Sequence, residues 1–257
     1  MGLRNLVALI RSQGLRWLGV GGFVALWQLA TTLELLGPTF GPAFGPLRAA
    51  EAFVRMAADG VMMDQAGASL GRFGLGLGVA TILGAGLGLV VGYFRSFEEL
   101  TAIVFQFLRM ISPLALVPIA LIAFGVGGRP VIFLVAYAAL WPVLLSTAHG
   151  VSRASDAWRR VVRGFGGGHR SVLSKVVFPA VVPDLLQGIR LALGIGWVVL
   201  VPAEMLGVDS GLGYYVLDAR DRFAYDELLA TIAVIGILGY SFDTLLRRAK
   251  ERFSWAI

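Results

Sequence analysis

The sequence predicts an all-α membrane protein, a single domain over 1–257 with six transmembrane helices and both termini on the cytoplasmic side. Three observations carry this. Hydrophobic residues make up 57% of the 257 and charged residues only 15%, with a mean hydropathy of +0.79, whereas soluble domains run near 45–50% apolar and about 25% charged. The apolar residues fall into six continuous runs that lack the alternation of barrel strands. The basic residues collect on one side of those runs. With 22 Lys and Arg against 16 Asp and Glu, the chain has too little charge for the polar shell of a soluble core, and too much apolar surface for disorder.

A helix crossing a hydrocarbon core of about 30 Å needs about 20 mostly apolar residues. Windows at about 17–36, 66–93, 100–124, 130–147, 182–206 and 228–246 qualify. The first follows Arg4 and Arg11 with no small-residue cleavage site, so it is expected to be retained rather than removed as a signal peptide. Three Gly-Pro steps (Gly37-Pro38, Gly41-Pro42, Gly45-Pro46) then punctuate the outer segment 37–65 before a short helix over 47–58. The second window is rich in glycine. Gly74/Gly78, Gly84/Gly88 and Gly88/Gly92 lie four apart and share a face on which a neighbouring helix can approach closely, as Gly188 and Gly194 do in the fifth. Pro113 and Pro118 interrupt the third window and are expected to kink or unwind it. The fourth contains Trp141-Pro142.

The loop 148–180 is longer than a connection requires. Trp158, Val161, Val162, Phe165, Val172, Leu173, Val176, Val177 and Phe178 recur at near-helical spacing among Arg and Lys. The pattern predicts a basic amphipathic helix, a turn through Gly164 and Gly166 to Gly168, and a second short helix ending at Pro179.

With the N-terminus inside, the inner segments hold Arg4, Arg11, Arg16, Arg95, Arg153, Arg159, Arg160, Arg163, Arg170, Lys175, Arg247, Arg248, Lys250 and Arg252. The outer ones hold Arg48, Arg55, Arg129, Arg220 and Arg222, so the count is fourteen against five. That asymmetry predicts N-in and C-in. It also accounts for the net charge of +6 without a nucleic-acid partner.

Enzyme chemistry finds little footing. No phosphate-binding glycine loop, dinucleotide fingerprint or Gly-x-Ser-x-Gly elbow is present. Gly67-Ala68-Ser69-Leu70-Gly71 approaches the last, but with the wrong spacing and no histidine in a span to activate Ser69. There is no Cys, and His149 and His169 offer too few ligands for a metal. Neither a catalytic nor a metal site is expected.

Charges inside spans carry more information, because a charge at the bilayer centre costs at least about 2.5–3.5 kcal/mol. Arg109 and Arg190 lie at matched depth in the third and fifth windows. They could pair with acids such as Asp184 or Asp243, favour an anion in a shared pathway, or snorkel to the surface. Glu204, at the outer end of the fifth window, reads as a gate or contact residue. With the helix-breaking Pro113 and Pro118, these make the candidate pathway residues Arg109, Pro113, Pro118, Arg190 and Glu204.

The segment 156–183 resembles the signature loop of inner-membrane permease subunits of ABC importers. That loop has an acidic-Ala-Ala triplet, a glycine four residues after the second Ala, and an apolar stretch ending in Leu-Pro. Gly166 matches the glycine and Val177-Phe178-Pro179 with Pro183 the ending, while Arg160-Val161-Val162 stands where the triplet would be. Further runs are similar to the nitrate, sulfonate, taurine and bicarbonate branch. They are Ser112-Pro113-Leu114-Ala115-Leu116-Val117-Pro118, Phe124-Gly125-Val126-Gly127, Gly188-Ile189-Arg190-Leu191-Ala192-Leu193-Gly194, Ala203-Glu204-Met205-Leu206 and Ser210-Gly211-Leu212-Gly213-Tyr214. The resemblance extends over about 70–253.

It implies the type I (MetI-like) importer permease fold in a multi-pass protein of the bacterial inner membrane. Two permease copies, most simply a homodimer, would enclose a pathway for a small solute such as nitrate, a sulfonate, taurine or bicarbonate. Partner ATPase subunits would bind ATP and Mg, leaving this chain without a cofactor of its own. A periplasmic or lipid-anchored binding protein would deliver substrate to the outer segments 209–225 and 37–65. Asp156, Trp158, Arg160, Arg163, Phe165, Gly166, His169 and Pro179 would form the cytoplasmic coupling helix and its turn. A basic amphipathic helix too short to span suits an apolar, partly acidic cleft on a partner, or else a surface of anionic lipid. The rival class is an autonomous secondary transporter or channel for a small anion. It would want an internal repeat and buried carboxylates, which the spans scarcely offer.

Overall fold

Among the described residues of the computed structural model, four helices are long and apolar enough to cross a membrane: Val61–Tyr93, Gly128–Arg153, Phe178–Glu204 and Tyr225–Leu245. Residues 3–33, 44–153, 161–162 and 164–253 are described. The elements run α1 (Leu3–Thr32), α2 (Pro46–Ala58), α3 (Val61–Tyr93), α4 (Arg95–Met110), a 3₁₀ turn (Pro113–Leu116), α5 (Val117–Phe124) and α6 (Gly128–Arg153). An α-turn (His169–Val172) and a π-turn (Leu173–Val177) then lead into α7 (Phe178–Glu204), followed by α8 (Leu212–Asp221) and α9 (Tyr225–Phe253).

Among the described residues, four of the six expected spans are single long helices, and a fifth is present if one bent pair counts as a span. The third window is that pair: Arg95–Met110 and Pro113–Phe124 meet at 86°. Ser112 (ψ 128°) and Ile111 (ψ 123°) are extended. A residue before proline is driven out of the α region, and Pro113 has no N–H with which to continue the ladder. In the first window the apolar helix covers only Leu18–Thr32 among the described residues, short of a full crossing.

Glycine sets the packing of α3 on α6. Cβ atoms built on Gly76 and Gly84 would lie 2.8 Å from Val135 Cγ1 and Val143 Cβ, and on Gly88 and Gly92 2.6 Å from the carbonyl oxygens of Leu144 and Ala148. With fully buried Ala80 they form one stripe of period four, along which the backbones touch. Gly74 and Gly78 meet nothing within 4 Å, so the pairing expected there is corrected to Gly76 and Ala80. Across α6, Gly188 of α7 seats Ser146 and the Pro142 carbonyl, whereas Gly194 has nothing near it. Helix α6 is therefore the middle layer, and its buried residues Leu134, Val135, Ala139, Val143 and Leu144 come from several faces.

Two compact units divide the chain. The larger, Asp64–Tyr215 with Ile235–Ile257, contains the α3–α6–α7 layers and an aromatic cluster. Phe73 meets Trp197 edge-on at 5.2 Å, and Phe242 meets both at 5.9 and 5.3 Å. The smaller, Met1–Met63 with Val216–Val234, is tied by Arg55–Asp226 at 2.6 Å and by Phe44 stacked on Tyr225 at 5.0 Å. The short helix expected over 47–58 is α2, with Pro46 in the first turn where its missing N–H costs nothing.

In the loop, Val161, Val162 and Gly164 are helical. Gly167 N–H donates to the Val162 carbonyl at 2.9 Å with Gly166 at φ +80°, a Schellman ending that requires a left-handed residue. The second short helix does not end at Pro179. The π-turn passes directly into α7, where Pro179 sits in the first turn, a position that proline tolerates.

Candidate functional site

Two adjoining cavities open in the larger unit. One, of about 360 Å³, lies between the end of α3, α4 and α6, and is lined by Glu98, Thr101, Gln106, Arg109, Trp141, His149 and Ser152 among others. The second, of about 610 Å³, extends past the α4–α5 break to α7 and is lined by Arg109, Pro113, Tyr137, Trp141, Ser146, Leu191 and Ile195 among others. Arg109, Trp141 and Leu145 line both.

The break creates this junction. At the end of α4 the Leu108 carbonyl accepts from the Ile111 N–H at 3.1 Å and also from the Tyr137 hydroxyl, which reaches across from α6. Trp141 packs edge-on against Tyr137 at 5.8 Å and Phe105 at 6.0 Å. Its indole N–H is buried and meets no acceptor. Arg109 has neither an ion-pair nor a hydrogen-bond partner among the described residues.

Of the other expected pathway residues, Pro113 alone lines either of these two cavities. Pro118 occupies the first turn of α5. Arg190 donates through Nε and Nη2 to Asp243 Oδ1 at 3.0 and 2.9 Å. Asp184, the other candidate partner, faces Arg153 at 3.5 Å.

Glu204 is fully buried and belongs to a polar network at the end of α7. Ser69 Oγ and Gly213 N–H donate to its Oε2 at 2.7 and 3.0 Å, and Arg72 Nη1 to its Oε1 at 2.8 Å. Arg72 also donates from Nη1 to the Ser210 carbonyl at 2.7 Å and from Nη2 to Ser210 Oγ at 2.6 Å. Gly211 N–H donates to Gln65 Oε1 at 2.6 Å and Leu212 N–H to Ser69 Oγ at 2.7 Å. Sequence reasoning picked out Glu204 and the 210–213 run but missed Arg72 and Gln65. Their spacing with Ser69 as i, i+4 and i+7 on one face of α3 was the available signal.

Asp156, Trp158, Arg160 and Arg163 lie outside the described residues, as does the side chain of His169. Phe165, in the Gly166 turn, is 90% exposed. Among the described residues no group of three His, Asp or Glu could hold a metal ion.

The family model described as "Binding-protein-dependent transport system inner membrane component" matches residues 80–254. The chain belongs to this family. It is 34% identical over 235 residues to the bicarbonate transport system permease protein CmpB of Synechococcus elongatus, covering 88% of this chain and 84% of that one. With the taurine transport system permease protein TauC of Escherichia coli it shares 31% over 236 residues, 90% and 85% of the two chains. A solved structure of the MetNI methionine ABC transporter in an inward-facing form superposes with TM-score 0.60 at 14% identity, over 72% of this chain and 92% of that one. The all-helical permease fold is common to both. The chain is accordingly a multi-pass inner-membrane permease subunit of an ABC importer, a non-catalytic component, and the autonomous-transporter alternative falls away.

Proposed function

We propose that this permease conducts a small anion, and that the two cavities meeting at Arg109 are its part of the pathway. The observation that carries this is the state of the three arginines in the spans. Arg72 is met by Glu204 and Arg190 by Asp243, while Arg109 lines both cavities and, among the described residues, forms an ion pair with no carboxylate, not even with Glu98, which lines the smaller cavity. A cation left unpaired in a span is costly to insert, so its retention points to a use. The donor surplus at the junction, guanidinium and indole N–H together, suits a ligand rich in acceptors. Relatives named for bicarbonate and taurine transport carry solutes with a carbonate or sulfonate group, which fits the same chemistry.

Two copies of the chain, N-in and C-in, would enclose the pathway, with ATP and Mg bound by partner ATPases and substrate handed over by an external binding protein. The 148–180 loop would dock in the ATPases. The exposed Phe165 and the hydrogen-bonded glycine turn beside it support that role.

The test is uptake of labelled bicarbonate, nitrate, taurine and methanesulfonate by cells expressing the full transporter. One or more should accumulate in an ATP-dependent manner, and Arg109→Gln should reduce that uptake about tenfold or more, the loss of one charge-assisted contact of about 1.5–3 kcal/mol. Undiminished uptake by Arg109→Gln would remove Arg109 from the pathway.

A further inference from the structure

The network around Glu204 does more than neutralise a buried charge. Three consecutive amides of the 210–213 turn, those of Gly211, Leu212 and Gly213, donate to the side chains of Gln65, Ser69 and Glu204. Two of these acceptors, with Arg72, line one face of α3, and the third ends α7. A single guanidinium grips both sides, reaching Glu204 from one nitrogen and Ser210 from two. The fit is close. A Cβ on Gly211, which sits at φ +110°, would come within 2.5 Å of the Glu204 carboxylate, and one on Gly213 would collide with the Val201 carbonyl.

Stability alone does not call for this arrangement. Immediately beside it Phe73 and Trp197 join α3 to α7 through aromatic packing, and replacing a buried ion pair by well-packed apolar groups is often neutral or stabilising. What the ion pair adds is a fixed direction and register. The same α3 then runs in backbone contact with α6 from Gly76 to Gly92, and α6 carries the Tyr137, Trp141 and Leu145 walls of the cavities.

We infer that Arg72 is a positioning residue for transport. It locks the 210–213 turn to α3 and the end of α7, so that a load on the turn moves these helices, and with them α6, as one body. This rests on the proposed function in placing the turn on the outer face, where a binding protein engages.

The experiment uses the complete transporter in proteoliposomes, with its ATPases, its binding protein and each of the four solutes. Basal ATP hydrolysis, hydrolysis stimulated by binding protein, and uptake are measured per assembled complex. Arg72→Lys keeps the positive charge, but its single ammonium cannot reach Glu204 and both Ser210 oxygens together. Ser69→Ala keeps the ion pair and removes the hydroxyl that bridges Glu204 to Leu212. Each variant should assemble and keep basal hydrolysis, with stimulation and uptake reduced about tenfold.

Wild-type stimulation in both variants would overturn the inference, and so would a fall in basal hydrolysis equal to the fall in stimulation. If Arg72→Lys fails to assemble, Ser69→Ala decides by the same criterion. Because stimulation is also read without any of the four solutes, a wild-type complex that carries none of them would refute the proposed function and leave this comparison standing.

Discussion

Arg190 of α7 and Asp243 of α9 are joined by two donations from one guanidinium to a single carboxylate oxygen, at 3.0 and 2.9 Å. The pair occupies two of the Arg190 donors with one acid of the same chain. Its two charges cancel within the spans, where either alone would be penalised.

The first prediction follows from that cancellation. Arg190→Gln alone should destabilise the permease, as should Asp243→Asn alone. The double variant should recover most of the loss, with a coupling energy of about 0.5–3 kcal/mol between the sites. Its uptake per folded molecule should stay within about twofold of wild type, whereas Arg109→Gln falls by about tenfold or more. Thermal denaturation in detergent and initial uptake rates read the two quantities. A double variant as inactive as Arg109→Gln would return Arg190 to the pathway.

The second prediction concerns the glycine stripe. A side chain at Gly88 would meet the Leu144 carbonyl at 2.6 Å and Thr147 Cβ at the same distance, and backbone cannot step aside as a flexible side chain can. Gly88→Val should therefore cost about 1–3 kcal/mol or more through overpacking. Gly78→Ala, with nothing within 4 Å, should be neutral or slightly stabilising by helix propensity. The melting temperatures of the two variants, measured side by side, check both claims.

The third prediction is at Trp197, whose indole N–H donates to the Ile235 carbonyl at 3.2 Å while its ring meets Phe73 and Phe242. Trp197→Ala should cost about 3–5 kcal/mol. Trp197→Phe keeps an aromatic ring and loses one hydrogen bond, so it should cost about 1 kcal/mol from that bond alone. Thermal denaturation separates them, and equal losses would show that the hydrogen bond, not the packing, holds α7 to α9.

Much of this was legible in the sequence because it is local. The long apolar windows become α3, α6, α7 and the first part of α9, and Pro46 marks the start of α2. The break at Pro113 was legible too, but not its 86° angle, which depends on what the two arms pack against. The glycine stripe was misregistered because α3 has glycines on more than one face, and only the position of α6 selects Gly76 over Gly74 and Gly78. Glu204 stood out as an acid near a membrane boundary. Its partner Arg72 lies 132 residues away, and no local pattern announces such a pairing. Arg109 and Arg190 looked equivalent at matched depth, and only the approach of Asp243 distinguishes them.

The last prediction separates fold from docking in the 148–180 loop. Phe165 is 90% exposed, so its removal takes away almost no internal packing. Gly166, at φ +80°, holds the left-handed position of the helix ending, where a residue with a Cβ costs about 1–2 kcal/mol. Phe165→Ala should leave the melting temperature of the isolated permease within experimental error, while reducing recovery of the ATPase on affinity-tagged permease. Gly166→Val should lower both, because it disturbs the turn itself. An aromatic anchor in a partner's groove is worth about 2 kcal/mol or more when truncated, so loss of recovery should be readily visible. Full ATPase recovery by Phe165→Ala would show that this side chain rests on lipid rather than in the partner.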